Sequence, residues 1–100
     1  MAKKNGSIYS RAVEAWGTES QMDQTIEELA ELIQAISKFC RAKTPEKKTK
    51  AYLHLCEEVA DVENMINQLR YMLDADLIDK FREEKLKRTE KRLKKPKDAE

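Results

Sequence analysis

The stretch TESQMDQTIEELAELIQAISKFC, residues 18–40, decides the fold class of this chain. Its apolar side chains recur at alternating intervals of four and three residues, in the series Met22, Ile26, Leu29, Ile33, Ile36 and Cys40. This interval places them on one face of an α-helix, so it predicts a packing seam along a helix that ends near Arg41. Thr18 followed by Gln21 has the spacing of a capping box, which predicts that the helix begins there.

A short helix and a long helix are predicted on either side of this stretch. An amphipathic segment over residues 8–16 ends at Gly17, and a basic connector leads to Thr44 as N-cap and Pro45 as the first residue of the long helix. That helix extends to about residue 73 and has a second seam with the same spacing, formed by Tyr52, Leu55, Val59, Val62, Ile66, Leu69 and Leu73. It would be about 40 Å long, which favours an elongated shape or a partner chain.

The fourth predicted helix begins near Leu77 and becomes strongly basic along its length. Apolar residues become rarer as lysine and arginine accumulate, so we expect order to about Leu86 and fraying by Pro96. Residues 1–79 carry 10 basic and 14 acidic side chains, whereas residues 80–100 carry 10 basic and 5 acidic ones. The net charge of +1 therefore hides an acidic body and a basic end.

The composition favours helices over strands and indicates one domain. Two glycines and two prolines in 100 residues are too few for the turns of an all-β fold. No apolar run is long enough to cross a membrane, and no signal peptide opens the sequence. Cys40 and Cys56 are too far apart for a CxxC motif, so we expect a cytoplasmic protein with reduced thiols. The expected fold class is all-α, an antiparallel bundle of about four helices.

Two acidic patterns, EELAE at residues 27–31 and EEVAD at residues 57–61, lie on the two central predicted helices. Carboxylates three residues apart share one face of a helix. If the helices run antiparallel, as the short connector implies, the two faces bring together Glu28, Glu31, Glu58 and Asp61. Four converging carboxylates suit Mg²⁺ or Mn²⁺, and their mutual repulsion favours a bound cation. The alternative is that they are solvated charges on helix faces.

Other kinds of catalytic centre find no support in the sequence. Di-iron bundles use a Glu-x-x-His motif, but residue 51, three positions before the single histidine His54, is alanine. The sequence contains no glycine-rich phosphate loop, no zinc-binding pattern and no recognisable pair of nucleophile and base.

The two acidic patterns and their flanks resemble a known family. WGTESQMDQTIEELAELIQAISK followed by LCEEVADVENMINQLRYML is similar to the small, single-domain MazG-like proteins, which are all-α nucleoside triphosphate pyrophosphatases. The resemblance covers residues 8–93 and implies one helical domain over residues 7–95. From the residues themselves we expect segments 1–6 and 96–100 on either side of it to be disordered. It also implies hydrolysis of a (deoxy)nucleoside triphosphate to the monophosphate and pyrophosphate by a homodimer or homotetramer whose neighbouring subunits complete the site.

The same resemblance implies roles for individual residues. Mg²⁺ is expected on Glu28, Glu31, Glu58 and Asp61, with Mn²⁺ as a substitute. Glu27 is expected to orient or deprotonate the attacking water. Lys80 and Arg82 of a Lys-Phe-Arg run are expected to contact phosphates, although two glutamates follow where the family has further arginine.

Two side chains keep alternative interpretations. Trp16 is expected either to stack on the base or to anchor a core. His54, one turn before Glu58, is expected either to reach a phosphate or to be a half-exposed helix residue without such a role.

Two other functions remain open from the sequence. The first is a catalytically inactive helical module of the same fold that serves oligomerisation or interaction, favoured by the apolar seams. The second is nucleic-acid binding through residues 80–97, for which the interleaved glutamates and the lack of aromatics beyond Phe81 are unfavourable. A solvated charged helix is the simpler explanation of that segment.

Overall fold

The computed structural model describes residues 6–95, which form four helices and contain no β-strand. They are α1 (Ile8–Trp16), α2 (Thr18–Arg41), α3 (Pro45–Met72) and α4 (Ala75–Lys94). The predicted all-α class is therefore confirmed. The disorder predicted for the two ends falls almost entirely on residues 1–5 and 96–100, which lie outside the described residues, as does the fraying predicted at Pro96.

Side chains cap three of the four helices at their N-termini. Ser7 and Thr44 accept hydrogen bonds from the backbone N–H groups three residues later, and Thr44 with Pro45 begins α3 as predicted. Asp74 caps α4 in the same way, so that helix begins at Ala75, two residues before the predicted start. It continues to Lys94, well past Leu86, because its charged residues suit a solvated helix.

The predicted capping box at Thr18 is wrong. Gly17 is the N-cap of α2 and no side chain caps this end, while Gln21 is buried. The N–H of Gly17 donates to the Val13 carbonyl and its own carbonyl accepts from Gln21, so one residue ends α1 and begins α2. Its φ of 92° lies where only glycine is free of strain, which explains why so short a link is possible here.

The centre of the fold is the antiparallel pair of α2 and α3. Near the open end of this hairpin, Thr25 Oγ1 lies 3.7 Å from Met65 Sδ. Near the connector, the rings of Phe39 and Tyr52 are 6.2 Å apart. Contacts that pair early residues of one helix with late residues of the other establish the antiparallel arrangement that the short connector predicted.

The apolar seam predicted for α2 is not the stripe that packs against α3. Ile26 and Ile33 are 65% and 68% exposed, and Ile36 is also exposed. The stripe that is buried or half-buried lies one residue earlier at each step, at Gln21, Thr25, Glu28, Leu32, Ala35 and Phe39. A step of one residue turns the helix by about 100°, so α2 has two stripes and a single hairpin covers only the more polar one.

The same offset divides the seam predicted for α3. Leu55, Val62 and Leu69 are half-buried, whereas the remaining seam residues are exposed, namely Tyr52, Val59, Ile66 and Leu73. Val13 and Ala35 are the only hydrophobic residues within 6–95 that are fully buried. The single chain therefore encloses very little apolar core.

The outer helices attach to the hairpin at one end. Tyr9 of α1 donates a hydrogen bond to Asn64, and Tyr71 donates to Glu14. Among the described helices α4 contacts only α3, where the Arg70 guanidinium lies 3.0 Å from Asp79 and holds the pKa of that carboxyl below its ordinary value. The radius of gyration is 18.1 Å, against about 13 Å for a compact chain of this length. The predicted elongated shape is confirmed.

No helix in residues 6–95 is both long and apolar enough to span a bilayer. Both cysteines are free thiols at the surface.

Candidate metal centre

Three of the four predicted carboxylates meet at the middle of the hairpin. Glu28 and Glu58 belong to the stripes through which α2 and α3 face each other, and Glu31 stands one turn further along α2 at the edge. One carboxylate oxygen from each of these residues lies within 4.8 Å of the others. The antiparallel pairing thus converts two local patterns, far apart in sequence, into one acidic cluster.

The two glutamates between the helices are incompletely satisfied. Glu58 is only 7% exposed, and its Oε2 atom has no hydrogen-bond partner among the described residues. Glu28 Oε1 accepts a hydrogen bond from Gln24 at 3.0 Å, but its Oε2 is also buried without a partner. Burying a carboxylate oxygen costs free energy unless a hydrogen-bond donor or a cation contacts it. The two oxygens without a partner therefore make this site suited to a bound cation.

The electrostatics of the pair point the same way. Burial raises the pKa of Glu28, and the charges of Glu31, Asp61 and Glu27 add to that effect while the hydrogen bond from Gln24 opposes it. Burial also raises the pKa of Glu58, again with help from Glu31 and Asp61. The opposing influence on Glu58 is His54, whose Nε2 lies 3.8 Å from Glu58 Oε1. Either protonation of a carboxylate or a bound cation reduces this repulsion.

Asp61 and Glu27 lie beside the three-residue cluster. Asp61 is exposed and is not among the residues whose oxygens approach within 4.8 Å, yet it lines the same cavity as Glu28 and raises the pKa of both Glu28 and Glu58. Glu27 is exposed next to Glu28 and raises its pKa. The structure thus brings Glu28, Glu31 and Glu58 together and places Asp61 and Glu27 at their edge.

The donor set fits a hard divalent cation. The clustered groups are carboxylate oxygens from two helices, and the Gln24 amide nitrogen that donates to Glu28 is not a metal ligand. The imidazole of His54 lies 3.8 Å from Glu58 Oε1. Oxygen-only sites of this kind suit Mg²⁺ and Mn²⁺.

A cavity of about 330 Å³ opens beside the carboxylates, between α1 and the hairpin. Trp16, 66% exposed, forms part of its wall, so the alternative of a buried core tryptophan is wrong. Glu28 of α2 lines it together with Asp61, Asn64 and Gln68 of α3. Gln68 is buried and its side-chain oxygen has no hydrogen-bond partner among the described residues. The cavity therefore combines an aromatic wall with amide groups directly next to the acidic cluster.

Asn64 and Gln68 are site residues that the sequence motifs did not predict. They follow Asp61 by three and seven residues, which places all three on one helix face. The signal available in the sequence was that two amide side chains continue the helix face that carries Asp61 of the EEVAD motif.

The remaining predicted site residues lie at different distances from the cluster. His54 is half-exposed on its side chain and contacts Glu58 as described. Lys80 is exposed on α4, and Arg82 lies 3.7 Å from Asp79 in a groove between α3 and α4. That groove shares no lining residue with the cavity at the carboxylates.

No family model matches this chain, and no curated protein or solved structure matches it either.

Proposed function

We propose that this chain is a Mg²⁺-dependent nucleotide pyrophosphohydrolase, MazG-like in fold, that converts a (deoxy)nucleoside triphosphate to the monophosphate and pyrophosphate. The observation that carries the proposal is the cluster of Glu28, Glu31 and Glu58, in which two buried carboxylate oxygens have no hydrogen-bond partner among residues 6–95. The resemblance of the two acidic motifs and their flanks to the MazG-like family supplies the reaction type.

The metal would be held by the three clustered glutamates, with Asp61 at the edge as the fourth ligand. A divalent cation supplies neutralisation of phosphate charge and a more acidic bound water. Glu27, exposed beside Glu28, is placed to accept a proton from a water on the solvent side. Because these carboxylates repel one another, the site favours a bound cation.

The cavity beside the cluster would take the nucleoside. Trp16 offers a face on which a base can stack, and the amides of Asn64 and Gln68 offer hydrogen-bond donors and acceptors to its edge. The unpartnered oxygen of Gln68 is an acceptor that a base amino group would satisfy. Lys80 and Arg82 remain candidate phosphate contacts, which a neighbouring subunit would have to bring to the site.

The proposal is tested by incubating the protein with a panel of nucleoside and deoxynucleoside triphosphates and Mg²⁺ and measuring released pyrophosphate. Glu28→Gln and Asp61→Asn should each reduce kcat/KM by roughly a hundredfold or more, because metal-ligand contacts are lost. Glu84→Gln, which changes an exposed acid on α4 outside the cluster, is the matched control and should leave the rate unchanged. Inactivity on the whole panel, or full activity of Glu28→Gln, would contradict the proposal.

A second candidate function, an inactive helical oligomerisation module, is favoured by the exposed apolar stripes. On both hairpin helices the exposed apolar stripe follows the buried stripe by one residue. Because the helices are antiparallel, this offset places the two exposed stripes on the same side of the hairpin. The resulting apolar face consists of Ile26, Leu29, Ile33, Ile36, Tyr52, Val59, Ile66 and Leu73, each between 39% and 68% exposed.

We assign this apolar face to a second copy of the chain. Eight such side chains at about 100 Å² each offer roughly 800 Å², which matches one side of a standard protein interface and exceeds the usual largest patch of a monomer. Two copies related by a two-fold axis would each cover the stripe of the other and supply the core that the single chain lacks.

Mass in solution tests this assignment. Light scattering on the eluting protein should give a dimer or tetramer, and Ile33→Lys should shift it towards monomer. Leu93→Lys, which changes a residue 80% exposed on α4, should not. A monomeric wild type at micromolar concentration would contradict the assignment, and an oligomer that hydrolyses nothing would favour the inactive module over the enzyme.

A further inference from the structure

A second cavity, of about 420 Å³, lies at the closed end of the hairpin and shares no lining residue with the cavity beside Trp16. Its wall combines the end of α2 with the first turns of α3, and it is lined by Lys38, Arg41, Ala42, Lys47, Lys50, Ala51 and His54. Most of the wall is apolar, which in these residues means methyl groups and aliphatic stems. We call it the basic hairpin pocket.

The cations of this pocket have no acidic partners. Within residues 6–95 no carboxylate lies within ion-pair distance of Lys38, Arg41, Lys47 or Lys50. Residues 38–50 contain six basic side chains and a single acid, Glu46. Four like charges around one cavity repel one another, so the pocket is suited to bind an anion.

The basic hairpin pocket adjoins the acidic cluster. His54 belongs to the pocket wall, and its Nε2 lies 3.8 Å from Glu58 Oε1. Lys50 lies one turn before His54 on α3, so Lys50 and Glu58 are eight residues, or about 12 Å of helix, apart. A chain of phosphate groups that begins at the carboxylates can therefore reach the lysines.

One face of α3 connects all three regions. Residues at alternating intervals of four and three are all polar, and in chain order they are Lys50, His54, Glu57, Asp61, Asn64 and Gln68. A cation and a histidine are followed by two acids and then by two amides. The amides line the cavity with Trp16, Asp61 lies at the acidic cluster, and the cation lines the basic hairpin pocket.

We propose that the basic hairpin pocket binds the terminal phosphates of an oligophosphate whose first phosphate lies at Glu28, Glu31 and Glu58. This assignment rests on the proposed function and names the residues that hold the leaving pyrophosphate. Lys47 and Lys50, together with Lys38 and Arg41, bind the phosphate oxygens through charge-assisted hydrogen bonds. The substrate therefore lies along α3 with its base towards α1 and its γ-phosphate towards the connector.

The test measures binding without turnover. The dissociation constant of inorganic pyrophosphate is determined by calorimetry in Mg²⁺ for the wild type, for Lys47→Ala/Lys50→Ala, and for Lys87→Ala/Lys91→Ala. The last pair changes the net charge equally but lies on exposed α4. The pocket variant should bind pyrophosphate at least about tenfold more weakly, because two charged hydrogen bonds are lost. The control variant should bind it as the wild type does.

The affinities of nucleotides show whether the pocket binds the terminal phosphates of a triphosphate or only a free anion. A nonhydrolysable deoxynucleoside triphosphate should lose affinity in the pocket variant by a similar factor, whereas the monophosphate should bind unchanged. Equal weakening by the α4 control, an unchanged pyrophosphate affinity in the pocket variant, or no pyrophosphate binding by the wild type would overturn the assignment. Pyrophosphate binding at the pocket by a protein that hydrolyses no nucleotide would contradict the proposed function alone.

Discussion

Glu28 on α2 and Glu58 on α3 face each other across the hairpin, and each holds a buried carboxylate oxygen without a hydrogen-bond partner among the described residues. Burial raises the pKa of both groups, and Glu31 and Asp61 raise them further. Apolar side chains at these two positions would avoid the cost of burying charged groups. The pair therefore makes the metal-free protein less stable than it could be.

Divalent cations should stabilise the protein. The proposed site takes Mg²⁺ or Mn²⁺ in the native state and not in the unfolded chain, so the cation should raise the melting temperature by several degrees at concentrations well above the dissociation constant. Thermal unfolding with MgCl₂ is compared with NaCl at equal ionic strength. Equal melting temperatures in the two salts would argue that the cluster holds no cation.

Glu58→Gln should stabilise the metal-free protein and abolish its response to Mg²⁺. Glutamine keeps the shape and removes a buried charge that Glu31, Asp61 and Glu28 repel. We expect an increase in melting temperature of about 2–5 °C without metal. Glu63→Gln, which changes an exposed residue two positions after the motif, is the control and should retain the Mg²⁺ response. Lower stability of Glu58→Gln without metal would show that the charge is already compensated.

The stability of the metal-free protein should fall as pH rises above the ordinary glutamate value of 4.5. The folded pKa values of Glu28 and Glu58 are raised, so the native state binds more protons than the unfolded state in this range. Their contribution is present below 4.5 and is lost as pH rises through the folded values. Urea titrations of the wild type and of Glu28→Gln/Glu58→Gln at several pH values between about 4.5 and 7 should show this slope in the wild type only.

Gly17→Ala should destabilise the fold although no atom lies within 4 Å of the added Cβ. The φ of 92° is strained for any L side chain, so the loss should be about 1–2 kcal/mol. Ser20→Ala, in the exposed first turn of α2, serves as control and should change stability little. Chemical denaturation measures both, and a Gly17→Ala variant as stable as the wild type would mean that the α1–α2 junction rearranges without strain.

The sequence predicted the elements better than their packing. Pro45 and the spacing of the apolar residues located α2 and α3 because these signals are local. Ile33 and its neighbours were assigned to the packing seam because they are the most apolar, yet the hairpin buries the stripe that contains Glu28. Which of two stripes a helix uses depends on the partner, and periodicity alone does not identify it.

In the candidate site too, local motifs were predictable from the sequence and tertiary contacts were not. The antiparallel hairpin brings Glu28, Glu31 and Glu58 together as the two acidic motifs implied. Gln68 was missed because its role depends on α1 closing a cavity over it, which is a tertiary contact. The lysines of the connector appeared only as a basic linker until the fold placed them around one cavity with His54.

The most direct test of the central claim is ³¹P NMR of the products formed from a triphosphate panel by the wild type in Mg²⁺. We expect resonances of the nucleoside monophosphate and pyrophosphate in equal amounts, with none formed when Mg²⁺ is chelated and formation slower by roughly a hundredfold or more when Glu28 is replaced by glutamine. Release of orthophosphate with the diphosphate, or no cleavage of any nucleotide, would contradict it.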